Sequence, residues 1–420
     1  MPDALPPTVR LYDEPLLLAF ESEILDVRSF GDRPSLVLAE SAFYPEGGGQ
    51  PGDRGALVVD GLTLAVVDVQ VDDGGVVHHL LATPPPASFV AGRHVSGTIE
   101  RARRRDFMSQ HTGQHLLSAG LMALAGAETV SSRLGESSST IDVARPDLTD
   151  EQLSAIEDWV NDIVLSAMPI TVAWPTPDAL ASMPLRRAPK VTGPVRVVAI
   201  GDVDLSPCGG THCTSSGQIG PIRVTTTERH KGGTRVEFLA GARTLAYARR
   251  EGRLLDALAR DLGAAHFGVG EAVDRLRATL GERTDALARA RGTLLAEAAA
   301  RLLAAHPTTA PGETSRIAVD RTPAGDGLTD LRALTAALAA RPDVAALVAS
   351  RGEAGWTFVV GAGAQAAFDA GKWVKETAAS LGGRGGGRPD RAEGKLPPTV
   401  DWETLAARFS SRSSPALGDR

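Results

Sequence analysis

Two short stretches of this 420-residue chain carry side chains whose types and spacing suit metal chemistry. The first is His111-Thr112-Gly113-Gln114-His115 and the second is Cys208-Gly209-Gly210-Thr211-His212. On a helix, residues four apart sit one turn apart on one face, so His111 and His115 would offer two imidazoles to one point. In the second stretch the glycine pair lets the backbone fold tightly enough to aim Cys208 and His212 together. One cysteine and three histidines are nitrogen and sulfur donors, a set that zinc takes tetrahedrally at about 2.0 to 2.3 Å. We therefore expect His111, His115, Cys208 and His212 to hold one Zn2+ per chain. Either histidine of the first stretch, taken alone, reads as a core residue. The pair at ligand spacing, followed by Cys-x-x-x-His, points to a metal. Cys213 is the only other cysteine. It directly follows His212, and strand neighbours point to opposite faces, so we expect a bystander thiol. The rival set exchanges His212 for Cys213. With both cysteines in or beside this stretch, a disulfide framework is not the natural reading.

A third stretch, Phe43 to Asp53, carries Gly47-Gly48-Gly49-Gln50. Successive glycines permit close backbone approach to a ligand, and the Gln50 amide offers both a donor and an acceptor. The plainer reading is a hairpin connection, because Gly-rich turns are common between strands.

The elements that must position these residues follow from pattern. Residues 1–97 alternate apolar runs (LLLAFESEILDVRSF, PSLVLAES, GALVVDG, LTLAVVDVQV) with Gly, Pro and Asp, as in a small barrel. Residues 98–125 read as the helix carrying His111 and His115, with Met108, His111, His115 and Met122 along one inward stripe. ESSSTIDV reads as a strand, and Thr149-Asp150-Glu151-Gln152 as a capping box opening a helix. Leu153, Ile156, Val160, Ile163, Val164 and Ala167 give that helix its apolar face, and Pro169 helps end it. PVRVVAIGDVD leads as a strand into the Cys-His stretch, and further strands follow with a turn at Lys231-Gly232-Gly233. Val273, Leu280, Leu287 and Leu294 repeat every seven residues within an Ala, Leu and Arg-rich segment. We read that segment as a helical hairpin or short coiled coil, a spacer or a dimer stalk. From about residue 310, RIAVD, VAALVAS and TFVVGAG read as strands of a small α/β unit. That unit ends in a helix through Lys372 and a loop, Gly382 to Asp390, whose exposed N–H groups and arginines would suit phosphate. The closing SRSSPALGDR reads as a disordered tail.

The expected fold class is α+β: an N-terminal small β-barrel (1–97), an α+β zinc-containing domain (98–242), a helical linker (243–308) and a C-terminal small α/β domain (309–420). The formal net charge of −7 weakly opposes a nucleic-acid partner. Basic residues nevertheless cluster at Arg101–Arg105, Arg229–Arg235 and Arg384–Arg391, and local patches matter more than the total. No apolar run approaches a membrane span, and the N-terminus lacks a signal-peptide pattern. A cytoplasmic protein with no membrane or DNA partner is expected.

The order FYPEGGGQPGD, then HTGQHLLS, then CGGTH resembles the editing region of alanyl-tRNA synthetases and their free-standing AlaX relatives. The terminal GGRGGGRPDRAEG resembles the C-terminal, DHH-associated domain that those synthetases carry. The paired HxxxH and CxxxH alone are shared with threonyl-tRNA synthetase editing domains. The flanking glycine stretches favour the alanyl reading. Nothing in the chain resembles a class II aminoacylation core, so the resemblance implies a separate hydrolase acting in trans, of the long AlaX form.

That resemblance gives the residues expected roles. The substrate would be tRNA(Ala) mischarged with serine. An alanine site cannot wholly exclude serine, so a second site hydrolyses the wrong product. Gln50 would recognise the serine hydroxyl or orient water, Thr211 is a second polar candidate, and the N–H groups of Gly48 and Gly49 would stabilise an oxyanion. Zinc would activate water or hold the terminal adenosine beside it. Four protein ligands would fill a tetrahedral zinc, so this reading needs a labile ligand or a fifth position. Arg103, Arg104 and Arg105 would guide the acceptor stem or merely solvate a helix end. Lys372, Arg384 and Arg388 would contact the tRNA's outer corner, with a homodimer formed through the helical or C-terminal region. The alternative is a non-catalytic tRNA-binding protein with a structural zinc site.

Overall fold

The structure, a computed structural model, describes residues 5–189, 193–307, 312–322 and 327–411. The stretch read as a disordered tail falls, apart from Ser411, outside the described residues. The chain divides into two compact units, Met1–Leu258 and Ala259–Arg420. Both mix helices with sheets, so the class is α+β as expected.

The first unit opens with β1 (Val9–Arg10), β2 (Ala19–Phe30), β3 (Arg33–Leu38) and β4 (Glu40–Ser41). Next come β5 (Gly55–Val59), β6 (Leu62–Val71), β7 (Val77–Leu81) and β8 (His94–Ile99). Six of these close a barrel in the order β2-β3-β7-β6-β5-β8, while β1 pairs with β4 outside it. Alternate residues face inward, as the period of two requires. Ile24, Leu36, Leu38, Phe43, Leu57 and Val69 are buried in its core. The apolar pattern marks β2, β3, β5 and β6. It passes over β7, whose sequence VHHLL places two histidines side by side, and β8.

Helix α1 (Arg101–Ala125) carries the first metal-type stretch and stops at Gly126, whose left-handed φ of 60° suits a glycine. One of the four stripe residues departs from expectation: Met122 is exposed, beyond the turns that pack against the core. β9 (Thr129–Leu134) and β10 (Ser139–Val143) lead to α2 (Asp150–Leu165). The capping box between Thr149 and Gln152 is present, and Leu153, Ile156, Val160, Ile163 and Val164 are buried. Ala167 lies past the helix end with φ 53°, outside the apolar face, and Pro169 follows that turn.

β11 (Ile170–Ala173), α3 (Pro177–Ser182), β12 (Val197–Ile200) and β13 (Asp204–Pro207) follow. The single strand expected over PVRVVAIGDVD is therefore two, hinged at Gly201. β14 (Ile222–His230) and β15 (Gly233–Ala240) form a hairpin whose turn places Lys231 at φ 48° and Gly232 at φ 81°. The sheets run β14-β15-β10-β9 and β11-β12-β13. Leu116, Leu117 and Leu121 of α1, Ile156 and Val160 of α2, and Val236 and Phe238 of β15 share one core. α1 is thus clamped between α2 and the sheet, and its histidine face is held still. α4 (Ala242–Asp261) runs past the end of this unit at Leu258.

The second unit contains α5 (Val269–Ala305), β16 (Ser315–Asp320), α6 (Leu328–Ala339), β17 (Val344–Gly352), β18 (Gly355–Ala362), α7 (Ala370–Ser380), β19 (Arg384–Arg388), β20 (Arg391–Leu396) and α8 (Trp402–Ser410). Its sheet order is β16-β17-β18-β20-β19. α5 is one long helix, and Leu276, Leu280, Leu287 and Leu294 of the heptad seam are exposed. The stretch Gly382–Asp390, read as a loop, is largely edge strand β19 paired to β20 from Arg384↔Lys395 to Arg388↔Arg391.

Candidate metal centre

α1 brings His111 and His115 to one face, and the turn after β13 brings Cys208 and His212 opposite them. Among the described residues these four form a group whose ligand atoms all lie within 4.8 Å of one another. Nε2 of His111 and of His212 lie 3.3 and 3.2 Å from Cys208 Sγ. The ring centroids of His111 and His212 are 4.4 Å apart, and those of His115 and His212 are 4.7 Å apart.

Each imidazole is fixed from behind. His111 Nδ1 donates to Gln50 Oε1 at 2.7 Å, His115 Nδ1 donates to Asp204 Oδ2 at 3.0 Å, and His212 Nδ1 donates to Thr112 Oγ1 at 3.3 Å. With Nδ1 engaged outward, the Nε2 atoms are left for the common centre. This is how metal-binding histidines are oriented by outer partners. Asp204 is itself held by Arg186 and by the Ser206 hydroxyl. The Thr112 hydroxyl donates to Met108 O at 2.8 Å and accepts the Cys213 N–H at 3.0 Å.

The four groups set one another's charges. Burial opposes ionisation of Cys208, yet the three surrounding imidazoles hold its thiol well below the usual range. Burial likewise opposes a charge on His115, but the Cys208 sulfur and the Asp204 carboxylate outweigh it and raise the ring to about 9. Burial and the neighbouring His111 push His212 down to about 3. A thiolate and three oriented imidazole nitrogens, taken out of water together, are a donor set that could hold a metal ion. Cys213 stands outside this group. It is buried, and burial pushes its thiol up to about 11.

The structure brings some expected residues to this centre and not others. Gln50 and Thr211 meet there: Gln50 Nε2 donates to Thr211 Oγ1 at 2.8 Å, and Thr211 N donates to Gln50 Oε1 at 3.1 Å. Gln50 Oε1 therefore serves two donors and has no lone pair left for a ligand. Gly48 and Gly49 take φ of 59° and 85° in the turn that presents Gln50, and a Cβ on Gly49 would stand 3.0 Å from Ser132 O. The glycine that touches the centre is Gly210. A Cβ there would stand 2.2 Å from His111 Cε1 and 2.8 Å from Gln50 Oε1.

Arg104 is a correction. It is buried, binds the Asp53 carboxylate and donates to Ala42 O at 2.6 Å and Pro15 O at 3.0 Å, so it ties α1 to the barrel and has no surface to offer RNA. Arg103 lies over Phe107 and donates to Glu136 and to Gly52 O. Arg105 is exposed. In the second unit, Arg384 and Arg388 are exposed on β19. Lys372 and Lys375 of α7 line one concavity there with Gly386, Gly387 and Pro389.

Sequence reasoning missed Asp204, Thr112 and Arg196. Arg196 is buried and donates from Nη1 to the carbonyls of Cys208 and Gly210 at 3.0 and 2.9 Å, so it holds the Cys-His turn. The available signal was a charged residue inside each apolar strand run before Cys208, where burial demands a partner.

Residues 195–237, which span this turn, match the family described as the threonyl and alanyl tRNA synthetase second additional domain. Residues 15–103 match the class II (A) tRNA synthetases. Those residues build the barrel. The alanine–tRNA ligase of Methanosarcina mazei is 32% identical over 407 residues, covering 92% of this chain and 42% of that protein. Those of Halorubrum lacusprofundi and Pyrococcus abyssi are 33% and 31% identical, covering 94% and 93% of this chain and 42% of each relative. The chain thus spans about two fifths of the length of these curated relatives. Among solved structures, the C-Ala domain from Aquifex aeolicus alanyl-tRNA synthetase aligns with 24% of this chain at 22% identity and a TM-score of 0.21, too slight a likeness to bear on the fold.

The chain carries domains of the tRNA synthetase class. More narrowly, it is related to the alanyl-tRNA synthetases over most of its length. Among the described residues, no helix is long and apolar enough to cross a membrane.

Proposed function

We propose that this chain acts in trans on tRNA(Ala) mischarged with serine, hydrolysing the ester that joins the amino acid to the RNA. The observation that carries the reading is the group of three backed imidazoles and one thiolate, set beside the Gln50–Thr211 pair. His111, His115, Cys208 and His212 would hold Zn2+, and a bound zinc ion would supply Lewis-acid polarisation of the ester region. The rest is done by the chain's own groups. Gln50 orients His111 through its oxygen, and its second N–H is the donor left for a substrate hydroxyl. The Thr211 oxygen accepts from Gln50, which leaves its O–H to donate. Alanine, lacking the hydroxyl, would leave such a buried donor unpaired, at about 1 to 3 kcal/mol.

In this reading residues 1–97 and 98–242 form the hydrolytic part, 243–308 a helical linker and 309–420 a tRNA-binding domain. Arg103, Arg105, Lys372, Arg384 and Arg388 are the candidate tRNA contacts, and a homodimer would form through the helical or C-terminal region. A second reading has one observation in its favour. Four protein donors complete a tetrahedron, and such closed sites are structural. The chain would then bind tRNA without turnover. The test is hydrolysis of seryl-tRNA(Ala) against alanyl-tRNA(Ala) by the isolated protein, beside His111→Ala. We expect loss of serine, sparing of alanine and an inactive variant. Tight binding with neither ester cleaved leaves the second reading.

A further inference from the structure

An arginine and a row of aromatic rings run from the open surface of the first unit to the metal-type centre, and the editing role gives them no task. Trp174 follows the last residue of β11 and is 47% exposed. Arg10, at the end of β1, places its guanidinium carbon 5.7 Å from the Trp174 ring centroid and 4.9 Å from that of Tyr12. Tyr12 is buried and meets Tyr44 edge to face, with centroids 5.7 Å apart. Tyr44 donates from its hydroxyl to Gly47 O at 2.9 Å, in the turn that presents Gln50. Asp13 joins this row to the Cys-His turn. Its Oδ1 lies 3.5 Å from Arg10 Nη2 and 3.5 Å from Arg196 Nε. Arg196 in turn holds the carbonyls of Cys208 and Gly210. Asp13 is thus shared by two guanidinium groups.

We propose that Trp174 and Arg10, braced by Tyr12, form a stacking platform for an unpaired nucleotide: the terminal adenosine of the tRNA whose ester is presented to the centre. This names a substrate contact and rests on the editing reading. Single-stranded RNA ends are bound by aromatic rings and guanidinium planes on which a base lies flat. A guanidinium is planar and weakly hydrated, so one already lying against Tyr12 loses little freedom on taking a base or its phosphate. A half-open tryptophan beside it supplies the π-face. Stacking tolerates any base, which suits an end that all tRNAs share. Choice among tRNAs would then rest on other contacts.

The test uses the full chain and an uncharged tRNA whose terminal adenosine is replaced by 2-aminopurine, a base whose fluorescence is quenched by stacking. Binding should quench the wild-type complex. Trp174→Ala should abolish the quench and weaken tRNA binding by about five- to a hundredfold, and Trp174→Phe should retain most of both. In hydrolysis, Trp174→Ala should raise KM with kcat little changed, and its metal content should match the wild type. Quenching and KM unchanged in Trp174→Ala, with hydrolysis intact, would overturn the platform and leave the editing reading standing. Trp174-dependent quenching in a protein that cleaves no aminoacyl ester would do the reverse.

Discussion

The first unit contains two pairs of buried histidines, and they have opposite fates. His78 and His79 are neighbours on barrel strand β7, and both ring nitrogens of each find a protein partner. His79 Nδ1 donates to Leu36 O at 2.9 Å and its Nε2 faces the Ser41 hydroxyl at 2.7 Å. His78 is held by Ser35 and Asp72. His111 and His115, four apart on α1, each spend one nitrogen on an outer partner and turn the other toward a shared centre. Burial is alike in the two pairs. What separates a packed histidine from a candidate ligand is an unspent nitrogen with others of its kind beside it.

The comparison breaks most sharply at the centre. Removing a donor, as in Cys208→Ala or His212→Ala, should abolish stoichiometric zinc in elemental analysis and reduce deacylation of seryl-tRNA(Ala) by about a thousandfold or more, as one missing member disables a group that acts as a unit. Cys213→Ser, in the same assays, should keep both. Metal lost from Cys213→Ser and kept in His212→Ala would exchange the two residues in the set.

The outer partners sharpen the contrast. Asp204→Asn keeps the shape but removes the charge behind His115. Zinc affinity, read by competition with a chromophoric chelator, should fall about 10- to 100-fold. An affinity equal to the wild type would reduce Asp204 to a partner of Arg186.

The barrel pair predicts a smaller effect of a different kind. Burial pushes His79 down from 6.5 to about 4 in the folded protein. Between those values the unfolded chain takes up a proton that the folded barrel refuses. Stability is therefore full above about pH 6.5 and declines as pH falls toward 4, by at most about 3 kcal/mol. Urea denaturation at pH 7 and pH 4.5 should show a shallower acid loss in His79→Gln than in the wild type. Equal slopes would assign the acid loss to other groups.

These pairs also show what could be read in advance. His111 and His115 are legible because helical spacing is local, and so is the capping box at Thr149. The closure of the barrel is half legible. β2, β3, β5 and β6 announce themselves by apolar runs, while β7 hides because its buried histidines look polar until Ser41 and Leu36 are known to face them. Asp204 lies 89 residues from His115, and Arg104 lies 51 from Asp53. No local pattern links such partners, so an arginine that ties a helix to a barrel reads like one waiting for phosphate. Gly382–Asp390 misleads for the opposite reason. Its glycines suggest a loop, but Gly385 and Gly387 lie so close to β20 that a Cβ on either would stand under 3 Å from the Gly394 or Ala392 Cα, a place only a bare backbone fits.

Gly210 has a bearing on inheritance. Every missense change of its codon adds at least one side-chain carbon, which must displace His111 or Gln50. Positions at the barrel surface can drift while the protein still works, but this one cannot. A change found here would therefore mark a copy of the gene released from selection, where a change at the barrel surface would not.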